Sequence, residues 1–290
     1  MPRPGTGGTS RLTIKGTRGN DVIQVIDGGV LINGSFKAVA QAKIDAGLTI
    51  KGDAGNDDIT GGRGADTLDG GDGNDTLRDS ASTTFIGGSG IDTVDLSGES
   101  NGVLIDIQGN GTVDTAVNVY EVRDGYLWGE SSDVTTVSGT LQGIENVIGG
   151  AGNDWIVGNS ASNTLHGGGG NDIVTAGSAN DGAVDYLFGD DGMDNLFAGI
   201  GNDELTGGTG RDTFGFDPVN YNGNWIVHDY SQSDNDRVAL FPYSGGVAWS
   251  TNSSGWAVAT LDGGDTITFI GVTDPAIINL VSTMSWPPHV

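Results

Sequence analysis

The sequence contains no cysteine. That excludes a disulfide scaffold and thiolate metal sites, and it is compatible with export by a route that builds no disulfides. Residues 1–11 carry no apolar core of the kind a classical signal peptide needs. No apolar run approaches the ~18 residues required to span a bilayer. Basic residues are few: 12 Lys and Arg stand against 38 Asp and Glu, for a formal charge of −26. Such a charge repels nucleic acid and anionic membranes, so neither is expected as a partner. Glutamate is scarce as well. Only Glu99, Glu121, Glu130, Glu145 and Glu204 occur, so 33 of the acidic residues are Asp. Glu favours helices and Asp favours turns and caps. Hydrophobic residues make up 36%, little for an ordinary globular core.

What the chain has in abundance is glycine, 53 of its 290 residues. A Gly- and Asp-rich chain is either disordered, because ordering so much Gly is entropically expensive, or folds around cations that its acids bind. Periodicity decides. Nine-residue units run through 52–60 (GDAGNDDIT), 61–69 (GGRGADTLD), 70–78 (GGDGNDTLR) and 87–95 (GGSGIDTVD). A second array comprises 149–157 (GGAGNDWIV), 158–166 (GNSASNTLH), 167–175 (GGGGNDIVT), 189–197 (GDDGMDNLF), 198–206 (AGIGNDELT) and 207–215 (GGTGRDTFG), and an isolated copy lies at 16–24. Ten near-copies in register defeat the disorder reading, since low-complexity sequence holds no nine-residue phase.

Each unit tends to Gly at positions 1, 2 and 4, Asp at 6 and an apolar residue at 8, the pattern of calcium-binding parallel β-helices. Positions 1–6 form a tight turn, in which glycines permit positive φ and let backbone approach an ion. Positions 7–9 form a short strand with residue 8 inward. Two units make one coil, so position 6 recurs on the same edge every 18 residues. Carboxylates then face one another across stacked turns beside backbone carbonyls. Hard oxygen ligands of this kind suit Ca²⁺, whereas softer metals prefer His or Cys. The fold class expected is all-β, with parallel β-roll (β-helix, or solenoid) arrays and strand-rich caps.

These units resemble the RTX, or hemolysin-type calcium-binding, family, found in the C-terminal regions of serralysin-like proteases, bacterial lipases and alginate epimerases. The segment GIENVIGGAGND (143–154) looks like the phrase leading into such arrays. GGTGRDTFGF, HDYSQSDNDRVAL and DTITFIGV look like the β-sandwich-like cap that ends them. The resemblance implies type I secretion, with that apparatus as a partner, an extracellular location, and folding on meeting calcium.

It also implies a ligand rule: one loop gives carbonyls from positions 2 and 4 plus its Asp, and the loop 18 residues on gives carbonyls from positions 1 and 3 plus its Asp. Carried onto this chain, one site is Asp53, Gly55 and Asp57 with Gly70, Asp72 and Asp75. Another is Gly150, Gly152 and Asp154 with Gly167, Gly169 and Asp172. A third is Asp190, Gly192 and Asp194 with Gly207, Thr209 and Asp212. A fourth pairs Gly71, Gly73 and Asp75 with Gly87, Ser89 and Asp92, where the spacing is 17. Asp66 faces Thr84 instead of an acid. Asn163 stands where Asp is usual, which weakens a site with Asp181. Asp172 and Asp194 are 22 apart and meet only if 176–188 loops out.

Five segments are expected: an N-terminal β cap (1–51), a first array (52–95), a strand-rich insertion (96–148), a second array (149–215), and a C-terminal β cap ending in a secretion signal (216–290). VLIDI (103–107) and VNVYEV (117–122) read as strands in the insertion. Strands are also expected near Trp225–Val227, Val238–Phe241, Trp256–Thr260 and Thr266–Ile270.

Catalytic motifs are missing. There is no H-E-x-x-H and no G-x-S-x-G. His166 falls at position 9 of a repeat and points outward, and His228 lies in the cap, so both read as structural. The paired carboxylates that a glycosidase would need are accounted for by calcium ligation. Tyr120, Tyr126, Trp128, Tyr221, Trp225 and Tyr230 read as small cores under loops. The expectation is a non-enzymatic, calcium-binding secreted protein. The alternative is a polysaccharide-binding or polysaccharide-modifying protein, or one bound to a cell surface, using the β-helical face and 96–148. An ice- or surface-binding adhesin would need a regular outward row of Thr or Asn. Positions 7 and 9 are mixed along the repeats (Asp58, Thr60, Thr67, Asp69, Thr76, Arg78), which argues against it.

Overall fold

In a computed structural model the chain is almost entirely β. Described residues are 11–79, 83–100, 102–107, 117–122, 134–177, 182–241 and 245–281, with backbone alone for 117–122 and 134–139. Tyr126, Trp128, Asp181 and the stretch 282–290 lie outside them, and of Tyr120 only the backbone is described.

Among the described residues, the strands form one 13-stranded and one 14-stranded sheet, and successive repeats alternate between the two. Parallel pairing in register follows from the nine-residue phase, because each coil places one position-8 residue in each sheet. In the first sheet Ile14, Ile50, Leu68, Phe85 and Leu141 stack in sequence. Ile105, Ile156, Val174, Leu196, Phe214 and Val238 stack further along the same sheet. In the second sheet the row runs Ile23, Ile59, Leu77, Val94, Val147, Leu165, Leu187, Leu205, Val227. All of these are at most 2% exposed. The core is therefore two facing ladders, one side chain wide for most of its length. That is thin for the backbone it must hold in order.

The second sheet runs through both arrays without a break. Strand Thr93–Asp95 pairs directly with Asn146–Ile148, which pairs with Thr164–Gly170. In the first sheet, Val134–Gln142 continues parallel from Thr84–Ser89. Val117–Val122 and Gly102–Asp106 are then interposed antiparallel before Trp155–Val157. Much of 96–148 thus lies within the roll itself.

At the N-terminal end Thr13–Lys15 and Val22–Ile26 pair parallel with the first repeats, and an antiparallel meander, Gly29–Ile32 and Ser35–Ala38, follows. At the other end Asn224–Val227 and Thr266–Phe269 extend the second sheet in parallel, and Ala257–Leu261 and Val247–Thr251 close it antiparallel. Trp225 and Phe269 are fully buried there, and Tyr230 packs edge-on against Phe269. Among the described residues no helix is long and apolar enough to cross a membrane.

Candidate metal centres

The turns stack as directly as the strands. On one edge, where the chain passes from the first sheet to the second, the backbone N–H of Asp57 donates to Asp75 Oδ1 (2.8 Å), and that of Asp75 donates to Asp92 Oδ1 (2.8 Å). On the opposite edge Asp154 donates to Asp172 Oδ1 (2.7 Å), Asp172 to Asp194 Oδ1 (2.8 Å), and Asp194 to Asp212 Oδ1 (2.9 Å). Each position-6 carboxylate therefore uses one oxygen to hold the preceding turn.

The second oxygen is the notable one. Oδ2 of Asp57, Asp75, Asp92, Asp172 and Asp194 is buried without a hydrogen-bond partner. These five residues are at most 2% exposed. A buried carboxylate oxygen lacking a partner is strongly unfavourable unless a cation or proton meets it. Burial foremost, then neighbouring carboxylates, pushes Asp57 up to about 6, Asp92 and Asp194 to about 7, and Asp172 to about 8. Asp75 is raised by burial in the same way. At Asp154 (about 7) and Asp212 (about 6) burial again comes first among the raising causes.

The orphan oxygens converge with carbonyls. A methyl group on Gly52 would collide with both Asp57 Oδ2 and the carbonyl oxygen of Gly70 in the next turn. One on Gly189 would collide with Asp194 Oδ2 and the carbonyl oxygen of Gly207. Gly52 and Gly189 leave no room for a side chain because the space beside the α-carbon is where these oxygens meet. Among the described residues no group of three or more His, Asp or Glu side chains could hold a metal. What converges at these turns is a facing pair of carboxylates together with backbone carbonyls. An all-oxygen donor set of this kind fits Ca²⁺ and not a softer metal.

Of the ligand sets expected from the sequence, the fold brings each pair of turns face to face. Asp53 pairs with Gly71 and Ala54 with Asp72, while Gly71 pairs with Gly88 and Asp72 with Ser89. Asp190 pairs with Gly208 and Asp191 with Thr209. The set containing Gly150, Gly152 and Asp154 differs, because Gly150 N–H donates to Asp154 Oδ2 at 2.7 Å. Asp172 and Asp194 do meet, across a 22-residue coil, as Gly168 pairs with Asp190 and Gly170 with Gly192. The same longer coil sets Asn163 against Asp185, its N–H donating to Asp185 Oδ1 at 2.8 Å. Asp66 faces Thr83, since Thr67 pairs with Thr84.

The turns hold a further ladder that the repeat pattern alone does not announce. Position-5 asparagines bond to one another: Asn56 N–H donates to Asn20 Oδ1 (2.9 Å), Asn74 to Asn56 (3.0 Å), and Asn171 to Asn153 (2.8 Å). The recurrence of Asn at that position in 20, 56, 74, 153, 171 and 202 was the available signal. The histidines are partnered. His166 stacks on Phe188 at 4.3 Å with Nδ1 3.0 Å from Asp190 Oδ2, and His228 Nε2 lies 2.7 Å from Glu204.

A parallel β-roll with buried acidic turns on its edges defines a class of β-roll repeat protein. Three segments, 49–77, 148–183 and 181–214, match the RTX calcium-binding nonapeptide repeat, in four copies. The chain thus carries RTX calcium-binding repeats. No curated protein matches it. Among solved structures it is similar to a subunit of the Azotobacter vinelandii mannuronan C5-epimerase. Identity there is 25% over 45% of this chain and 78% of that one, with a TM-score of 0.28. It is also similar to the extracellular lipase LipA from Serratia marcescens, with 18% identity over 82% of this chain and a TM-score of 0.25. The chain spans 38% of that lipase's length.

Proposed function

We propose that this chain is a secreted, non-catalytic calcium-binding protein or module whose folding is completed by calcium. The observation that carries the reading is the set of five buried Oδ2 atoms without partners. Calcium would be held by the two facing carboxylates and the position-1 to position-4 carbonyls. Such sites pair Asp53, Gly55 and Asp57 with Gly70, Asp72 and Asp75, and Gly71, Gly73 and Asp75 with Gly87, Ser89 and Asp92. On the other edge they pair Asp190, Gly192 and Asp194 with Gly207, Thr209 and Asp212.

Bound calcium supplies positive charge that lets neighbouring carboxylates ionise together. Without it the facing acids repel, and the thin ladder of aliphatic side chains cannot hold the glycine-rich turns closed. Because the ion binds the folded turns and not the open chain, its binding free energy adds to stability. The cytosol is poor in calcium, so a chain built this way stays unfolded there and folds outside, as type I export of an unfolded polypeptide requires. The test is calcium titration of the metal-free protein, followed by far-ultraviolet circular dichroism. A large gain in β signal by ~10 mM calcium, about tenfold above the upper end for weak extracellular sites, is expected. An unchanged spectrum across that titration overturns the reading.

A further inference from the structure

The turns are of two kinds. In the first kind the position-2 N–H folds back onto the turn's own position-6 side chain. Gly62 donates to Asp66 Oδ2 (2.7 Å), Gly150 to Asp154 Oδ2 (2.7 Å), Asn159 to Asn163 Oδ1 (2.8 Å) and Gly199 to Asp203 Oδ2 (3.0 Å). The remaining oxygen of each acid takes a neighbouring N–H: Leu48 for Asp66, Val103 for Asp154 and Asp185 for Asp203. These turns are closed by the protein itself.

In the second kind position 2 has positive φ, +77° at Asp53 and +70° at Asp190, with Gly71, Gly88, Gly168 and Gly208 alike. Their position-2 N–H groups do not fold back onto the turn's own Asp. In five of these six open turns the Asp Oδ2 is buried without a partner. The sixth, 207–212, is the last of its stack.

The two kinds are sorted by edge. Open turns 52–57, 70–75 and 87–92 all lead from the first sheet to the second. Open turns 167–172, 189–194 and 207–212 all lead from the second back to the first. Closed turns 61–66, 158–163 and 198–203 occupy the opposite edge of each array, and closed turn 149–154 heads the second array's open stack.

From this sorting, and resting on the calcium reading proposed for the chain, we infer that the chain carries two separate calcium ladders on opposite edges of one continuous roll. Ions sit only between consecutive open turns. The first ladder holds two, between 52–57 and 70–75 and between 70–75 and 87–92. The second holds two, between 167–172 and 189–194 and between 189–194 and 207–212. Closed turns bind none, despite carrying the repeat's Asp at 66, 154 and 203. An ion there would have to displace a backbone N–H already donating to the same oxygen. Asp75 and Asp194 are each shared by two ions.

Native mass spectrometry of the calcium-loaded full chain counts the ions. Asp75→Asn and Asp194→Asn should each lose two relative to wild type. Asp66→Asn and Asp203→Asn should lose none. Asn163→Asp, which restores the repeat's usual acid in a closed turn, should gain none, and this decides the matter even if an open-turn variant fails to fold. Loss of an ion in Asp66→Asn or Asp203→Asn, a gain in Asn163→Asp, or full retention in Asp75→Asn or Asp194→Asn would overturn the two-ladder arrangement. A wild-type chain that binds no calcium at all would instead sink the calcium reading on which it rests.

Discussion

Removing calcium and raising pH should act together on this protein, in a direction opposite to ordinary acid denaturation. In the metal-free fold, burial raises Asp172 from 3.8 to about 8, and Asp92 and Asp194 to about 7. A carboxyl whose folded pKa lies above its unfolded one keeps its proton in the fold while the open chain has lost it. The penalty is absent below pH ~4 and grows as pH rises toward the folded pKa. Every tenfold difference in proton affinity between the two states is worth about 1.4 kcal/mol, so Asp172 alone removes on the order of 5 kcal/mol by pH 8. A whole domain has only ~5–15 kcal/mol to lose. The calcium-free chain should therefore be open near pH 8 and regain β structure toward pH 5. At pH 8 calcium should restore the fold by replacing those protons. The assay is circular dichroism of the metal-stripped protein between pH 5 and 8, with and without added calcium. A calcium-free β signal that is flat, or that increases with pH, would refute the electrostatic account.

Asp172→Asn should have opposite effects in the two states. Near pH ~6 it should stabilise the calcium-free fold by ~1–3 kcal/mol, because an amide is neutral in the turn without taking up the proton that the acid must gain on folding, and it should weaken calcium binding; urea melts with chelator and with calcium separate the two effects. Leu187, fully buried between Leu165 and Leu205, should cost ~2–5 kcal/mol on truncation to Ala, read as a lower melting temperature of the calcium-loaded protein. Val147→Asp should unfold both arrays together, since Val147 is fully buried and joins Val94 to Leu165. Retention of half the calcium-induced β signal in that variant would mean that the arrays fold separately.

The ladder of position-8 side chains was legible because it follows from period alone. Any chain with an apolar residue every ninth position and turns between must stack those residues, and Leu68, Leu77, Leu165 and Leu205 all lie where the phase puts them. What the linear order concealed was how the outward positions sort. Read along the repeats, positions 7 and 9 are a mixture of Asp, Thr and Arg. Because successive repeats go to different sheets, one face collects Thr13, Thr49, Thr67, Thr84 and Thr140 in a single register row. Lys15, Lys51 and Asp69 stand in the parallel row two positions on. The joining of the arrays was hidden for a related reason. The stretch 96–148 looks like a separator, but Asn146–Ile148 supplies the one strand that the second sheet needs there.

The open or closed state of a turn is harder to read, because the residues do not differ enough to encode it locally. Position 2 is glycine in closed turns at Gly62, Gly150 and Gly199, and glycine in open turns at Gly71, Gly88, Gly168 and Gly208. Glycine accepts either sign of φ, so the choice passes to the neighbouring coil. An open turn extends its strand into the turn and pairs with another open turn, as Asp53 with Gly71 and Gly71 with Gly88. An open turn next to a closed one loses some of those bonds, as 167–172 does beside 149–154, so open turns gather into runs. Thr83 stands against Asp66, and a 22-residue spacing sets Asn163 against Asp185, so these turns on the opposite edges face no matching open turn. The arrays then settle with their unpaired carboxylates aligned on one side each. In the proposed two-ladder arrangement, where the chain binds calcium is decided between coils, by which turns can find a matching neighbour, and no single nonapeptide contains that information.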